Sequence, residues 1–352
     1  MISNIEISNI NKHILKYENK TKNKNKNIEM YSTIIKYDFS SINEINISNI
    51  IKNIDNYYTN YLIIENYDFV NISQLNETTI EKFQLINDIK YLIIKYNKNE
   101  LIDLNTFLFN LYNAKFFIFH IIDSFIYILK SLIKLNSNNI CYFNLSPENI
   151  KFNIDYGEKP MLSNFHSSLQ ISKLSVEYIT NIIKKINNYT YKPLEIHILF
   201  YFIENNIFTI SYSFIEEITE VFIQNLTILN LFSENFKETY KKYCIDFLKK
   251  YINKSKTDII TDILKYNDKW DVYSLSIIYL HYIGNILKLF SLDEDFFRKI
   301  INELSKNINP DPSKRNSLHN LLETYNELFN KVKDWDFVNK IQTNKLPKLF
   351  HI

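Results

Sequence analysis

Two short stretches carry side chains that could act together on a ligand. They are Tyr142-Phe143-Asn144-Leu145-Ser146-Pro147-Glu148-Asn149 and Ser163-Asn164-Phe165-His166. Their polar residues are mainly asparagines. A carboxamide donates and accepts hydrogen bonds, but it cannot take up a proton near neutral pH. To a hard cation it offers only a neutral carbonyl oxygen, a poorer ligand than a carboxylate. Asn144, Asn149 and Asn164 can therefore orient a group or hold a cation weakly, but they cannot act as general bases. Asparagine also caps helices and makes turns. In a chain this rich in asparagine, the five-residue step from Asn144 to Asn149 specifies nothing by itself.

Other candidate chemistry is thinner. His120, His166, His197 and His281 show no H-x-x-x-H spacing and read as scattered structural residues. Two isolated cysteines, Cys141 and Cys244, support neither a disulfide framework nor a zinc cluster, and they suit a reducing compartment. Cys141 reads as a small buried hydrophobe rather than a nucleophile. With 41 basic and 39 acidic side chains in 352 residues, the chain lacks the dense basic footprint of a nucleic-acid binder. No early apolar stretch follows a charged start, so no signal peptide is expected, and the Asn-x-Ser/Thr matches are compositional. The most apolar window, Phe116 to Leu135, contains His120, Asp123, Lys130 and Lys134. That reads as a buried helix rather than a membrane span. The expected location is intracellular and cytoplasmic, with no membrane partner. Heavy use of Asn, Ile, Lys, Tyr and Phe reflects AT-rich codons, which points to an AT-rich source genome.

The elements that must position the asparagines follow from patterning. The Lys-Asn run that ends residues 1–29 reads as a loop. Met30 to Tyr37, Tyr61 to Ile64 and Tyr91 to Tyr96 are rich in β-branched and aromatic residues and read as strands. Between the first two, Ile47, Ile50, Ile51, Ile54 and Tyr58 fall at helical spacing within Ile42 to Tyr58. Phe119, Ile122, Ile126, Leu129 and Ile133 mark one face of a long helix, which Asn136 to Asn139 ends. Asp155-Tyr156-Gly157-Glu158 offers a turn between two short strands. Helical patterning dominates from there to Phe337, including Phe214 to Leu231 and Asn235 to Tyr251. The chain reads as α+β, a small sheet with one helix followed by a mainly helical part.

In that order of elements, the segment Asn144-Leu-Ser-Pro-Glu-Asn149 resembles the catalytic loop of protein kinases, H-R-D-L-x-x-x-N. Tyr142, Phe143 and Asn144 stand for His, Arg and Asp. Ser163-Asn164-Phe165-His166 falls where the family has D-F-G, with only Phe165 retained. Tyr191-Lys192-Pro193-Leu194-Glu195 looks like the A-P-E segment, and Trp270-Asp271-Val272-Tyr273-Ser274-Leu275-Ser276 looks like the D-V-W-S-L-G helix start. Asn309-Pro310-Asp311-Pro312-Ser313-Lys314-Arg315 is similar to the late N-P-D-P-x-x-R. Five partial matches in order identify the chain as a serine/threonine-kinase-like member of that superfamily over about residues 85–330.

The resemblance implies a two-lobed fold. Its small β-sheet lobe would span residues 1–97, and its large, mainly helical lobe residues 98–340, with a tail at 341–352. It further implies that Asp271 anchors the catalytic-loop backbone and that Glu195 and Arg315 form a buried ion pair. Asn144 takes the position of the catalytic aspartate, Asn149 and Asn164 the metal-ligating positions, and Asn164 also a cofactor-binding one. Lys36, at the end of Thr33-Ile34-Ile35-Lys36, is the candidate nucleotide-binding lysine, with Glu44 as its helix partner, or else a plain surface lysine. The first 156 residues contain no glycine, so the family's G-x-G-x-x-G loop is missing. Binding of ATP and Mg²⁺ is accordingly expected to be weak or absent, which makes a pseudokinase acting through a protein partner the leading expectation. The alternatives are an active atypical serine/threonine kinase transferring phosphate from Mg-ATP, and a structural component with a degenerate cleft. Length alone says that the stretch between Glu195 and Asp271 holds an insertion, at about residues 197–265. It reads as a partner-binding surface or as padding on the helical part.

Overall fold

The computed structural model describes residues 30–330, apart from 98–100, 112, 154–158, 187–188, 206–208 and 291–294, together with residue 344. The Lys-Asn run before residue 30, the expected Asp155–Glu158 turn, the patterning past residue 330 and all of the 341–352 tail but residue 344 lie outside the described residues.

The first strand, β1 (Met30–Lys36), runs into helix α1 (Phe39–Ile51) through Asp38. The Asp38 carboxylate accepts the backbone N–H groups of Ser40 and Ser41, while the Ser41 hydroxyl accepts the Asp38 N–H. This capping box satisfies donors that a helix start leaves orphaned. Strands β2 (Asn66–Phe69) and β3 (Tyr91–Asn97) flank a short helix, α2 (Glu77–Phe83). The three strands form an antiparallel sheet in the order β1-β3-β2. Ile45 of α1 packs with Ile64, Leu92 and Ile94 in a small core of its own.

One expected strand is corrected. Tyr61 to Ile64 joins no ladder; Tyr61 makes only an isolated parallel bridge to Leu162. Tyr61, Ile63 and Ile64 are apolar because they are buried, Tyr61 and Ile63 in the main core and Ile64 in the small one. The true strand is the next segment, Asn66–Phe69, whose four side chains are all exposed.

The rest of the chain is mainly helical. Strand β4 (Leu101–Asp103) and helix α3 (Leu104–Phe109) lead to the long helix α4 (Ala114–Ser137). Asn139, at φ 59°, turns the chain out of that helix. The stretch Phe116–Ser137 is long and apolar enough to cross a membrane by length and composition, yet 56% of its window is buried inside the fold. Ile121, Phe125, Ile128, Leu129 and Leu132 place it at the centre of the main core. Each such side chain contributes about 1.5–3 kcal/mol. Four short strands follow: β5 (Ile140–Cys141), β6 (Ile150–Asn153), β7 (Pro160–Leu162) and β8 (Leu169–Gln170). They pair antiparallel as β4-β6-β7 and β5-β8. The fold is thus α+β with small antiparallel sheets.

Helices α5 (Val176–Ile183), α6 (Leu194–Glu204), α7 (Tyr212–Asn225), α8 (Glu234–Lys249) and α9 (Lys256–Leu264) precede the buried helix α10 (Trp270–Phe290). Ser211, Ser233 and Ser255 cap α7, α8 and α9 by accepting the N–H of Phe214, Phe236 and Asp258. Helices α11 (Asp295–Asn307) and α12 (Leu318–Asn330) close the described chain. Gly284 of α10 lets Leu231 approach. A Cβ at Gly284 would lie 2.3 Å from the Leu231 side chain, so the segment after α7 is seated directly on the main core.

Candidate functional site

The loop between β5 and β6 holds Asn144 and Asn149, and the turn between β7 and β8 holds Asn164. Both loops bend in ways that L-residues resist. Phe143 has φ 59° and Asn164 φ 62°. Such left-handed backbone costs about 1–3 kcal/mol at a non-glycine residue and persists only where its surroundings enforce it. Around Phe143 the enforcement is visible. Asp271, at the start of α10, accepts the backbone N–H groups of Tyr142 and Phe143, each at 2.8 Å. The Lys192 ammonium donates to the Phe143 carbonyl and lies 4.6 Å from the centre of its ring. Burial pushes Lys192 down to about 8 and the Asp271 carboxyl upward, each countered by the other's charge.

The three asparagines meet. Asn144 Nδ2 donates to the Asn164 carbonyl at 3.1 Å, Asn164 Nδ2 to Asn149 Oδ1 at 3.1 Å, and Asn149 Nδ2 to the Asn144 carbonyl at 2.8 Å. The cycle is closed and uncharged. His166 Nδ1 contacts Asn164 Oδ1. Desolvation holds His166 down at about 4, so it is neutral and can donate Nδ1–H to that oxygen. Ser163 reinforces the junction, donating its N–H and its hydroxyl to the Asn149 carbonyl, each at 3.0 Å. Under the ring, Phe165 stands edge-on to Tyr142 at 5.2 Å and to Tyr61 at 6.1 Å. The Tyr142 hydroxyl donates to the Ser163 carbonyl.

The other predicted positions divide. Arg315 Nη1 and Nη2 donate to Glu195 Oε1 and Oε2 at 2.6 and 2.9 Å, with both side chains fully buried. Lys36 ends β1 opposite Tyr91 and is exposed. Among the described residues, no ion pair joins it to Glu44. Glu44 is buried in α1, takes the Tyr96 hydroxyl at 3.4 Å and accepts the backbone N–H of Phe165. Desolvation lifts its carboxyl to about 7.

Two contributors are absent from the sequence reading. Asn43, beside Glu44, donates to the carbonyls of His166 and Ser168 at 2.9 and 2.8 Å, clamping α1 to the Asn164 loop. Asn43 and Glu44 lie four and three residues before Ile47, on the face that the isoleucines define. Polar residues on an apolar face were the available signal. Lys192 carried no signal, since one lysine among many does not announce its burial.

No protein-family model matches the chain, and no curated protein matches it.

Proposed function

We propose that the chain is a kinase-like protein of two-lobed build whose phosphoryl-transfer chemistry has been removed and which acts by binding another protein. Support for the kinase-like part comes from contacts between residues far apart in the chain. Asp271 reaches the backbone of the Tyr142–Asn149 loop, Glu195 and Arg315 pair across 120 positions, and a small core lies apart from the main one.

One observation carries the loss of chemistry: the closed ring of Asn144, Asn149 and Asn164. Phosphoryl transfer depends on positioning and on neutralising phosphate charge through a bound cation. The residues present do not fit that cation. The carboxamide oxygens of Asn149 and Asn164 are both engaged, one by Asn164 Nδ2 and one by His166. The hydrogen bonds of the ring run to carboxamides, backbone carbonyls and His166, and among the described residues no cluster of three metal-ligating acidic, histidine or cysteine residues occurs. A proton-accepting group at position 144 is equally missing.

Incubation of the full chain with radiolabelled Mg-ATP and a generic protein substrate is expected to leave both unlabelled. Labelling abolished by Asn149→Ala would establish an active enzyme and overturn the proposal.

A further inference from the structure

A cavity of about 710 Å³ lies away from the asparagine ring, between α6 and α7. Its walls are Phe200 and Tyr201 from α6 and Ile218, Val221 and Phe222 from α7, with Tyr189 at one end. Among the described residues, no charged one lines it. Val221 is 46% exposed there, which leaves apolar surface that nothing in the chain covers among the described residues.

The two helices of the groove carry no lysine or arginine of their own, and Lys241 and Lys256 reach α7 and α6 from neighbouring elements. The chain has 41 lysines and arginines, yet residues 194–236 contain none. The same stretch holds six acidic residues: Glu195, buried with Arg315; Glu220, paired with Lys241; and Glu204, Glu216, Glu217 and Glu234. Two of these sit at the rim. Glu217 accepts the Tyr201 hydroxyl at 3.0 Å, and Glu204 is close enough to Tyr189 to raise the phenol's pKa after the larger effect of burial. Both glutamates are exposed. A trough between two helices, with apolar walls interrupted by uncharged polar side chains and with carboxylates along its edge, is complementary to an amphipathic helix with basic flanks.

We infer that the α6–α7 groove docks an apolar helical segment of a protein partner flanked by lysine or arginine. The inference rests on the protein-binding reading above and gives that reading a surface and a partner chemistry. Val221, with the half-buried Phe200 and Tyr201 beside it, would meet the partner's apolar stripe, and Glu204 and Glu217 its basic edge.

The test uses the full chain and a fluorescent 14-residue leucine–lysine peptide with leucines at i, i+3, i+4 and i+7, followed by anisotropy. Saturable binding is expected, at least tenfold tighter than for the same composition scrambled. Binding to the leucine–glutamate counterpart should be at least tenfold weaker as well. Val221→Arg should weaken binding at least tenfold with an unchanged melting temperature. Glu204→Lys combined with Glu217→Lys should do the same, whereas Glu81→Lys on the exposed face of α2 should have no effect. Equal binding by Val221→Arg, or equal weakening by Glu81→Lys, would overturn the inference. So would a dimer of the chain that Val221→Arg dissolves, since the occupant would then be a second copy. Such a failure leaves the proposed loss of phosphoryl transfer standing; only labelling from Mg-ATP removes that.

Discussion

Two polar clusters in this molecule differ in kind. The Glu195–Arg315 pair and the Asp271 anchor set ionisable side chains in the dry interior. The Asn144–Asn149–Asn164 ring, at the surface end of the same loop, is neutral throughout. Physical chemistry explains why one changes more easily than the other. Removing one partner of a buried pair strands the other charge, and Asp271 holds two N–H groups of a strained turn. At a partly solvated ring, exchanging carboxylates for carboxamides costs little and even relieves like-charge repulsion. On the proposed reading, the scaffold of a catalytic loop outlasts its chemistry for this reason.

The largest effect is expected at the buried pair. Arg315→Ala leaves Glu195 charged and alone, and should destabilise the fold by about 3–5 kcal/mol in denaturant melts. A loss under 1 kcal/mol would remove the distinction between the clusters. Next in size is Glu44. Its folded-state pKa of about 7 lies above the ordinary 4.5. The folded chain thus binds this proton more tightly than the unfolded one. The stability it contributes is complete below about pH 4.5 and is lost as pH rises through 7. Glu44→Gln should therefore gain on the parent chain as pH rises from 5 to 8, by up to about 3 kcal/mol. A constant difference across that range would contradict the burial argument.

Asp271→Asn keeps the shape but turns one acceptor into a donor facing a backbone N–H. A loss of about 1–3 kcal/mol is expected, with faster amide exchange at Tyr142 and Phe143. The smallest effect is expected at the ring. Asn164→Asp should change the melting temperature little, but it sets a carboxylate beside neutral His166. By NMR titration the imidazole pKa should rise from about 4 by about 1–3 units. An unmoved imidazole would mean that the ring is not the contact described.

The helical part was legible because burial and period agree there. In α4, of the expected face Phe119, Ile122, Ile126, Leu129 and Ile133, Ile122 and Leu129 are buried and the other three half-buried, while the centre of the core face runs beside it through Ile121, Phe125, Ile128 and Leu132. The site was legible through the order of its motifs. Asn144 and Asn164 are brought together by loops whose positions no periodicity predicts. Tyr61 to Ile64 misled for a physical reason: burial against the cores makes an apolar run as surely as a sheet does. Asn66–Phe69 escaped notice because backbone pairing with β3, not its exposed side chains, makes it a strand. Lys192 and Asn43 act through backbone carbonyls, a role written in tertiary geometry rather than in residue type.

The central question is whether the neutral ring can hold a metal-bound nucleotide. The direct measurement is the melting temperature of the full chain with and without Mg-ATP, beside the Asn144→Asp, Asn164→Asp double variant. No shift is expected for the parent chain at millimolar nucleotide. A reproducible stabilisation, which would reach about 2.7 kcal/mol at a hundredfold excess over Kd, would contradict it.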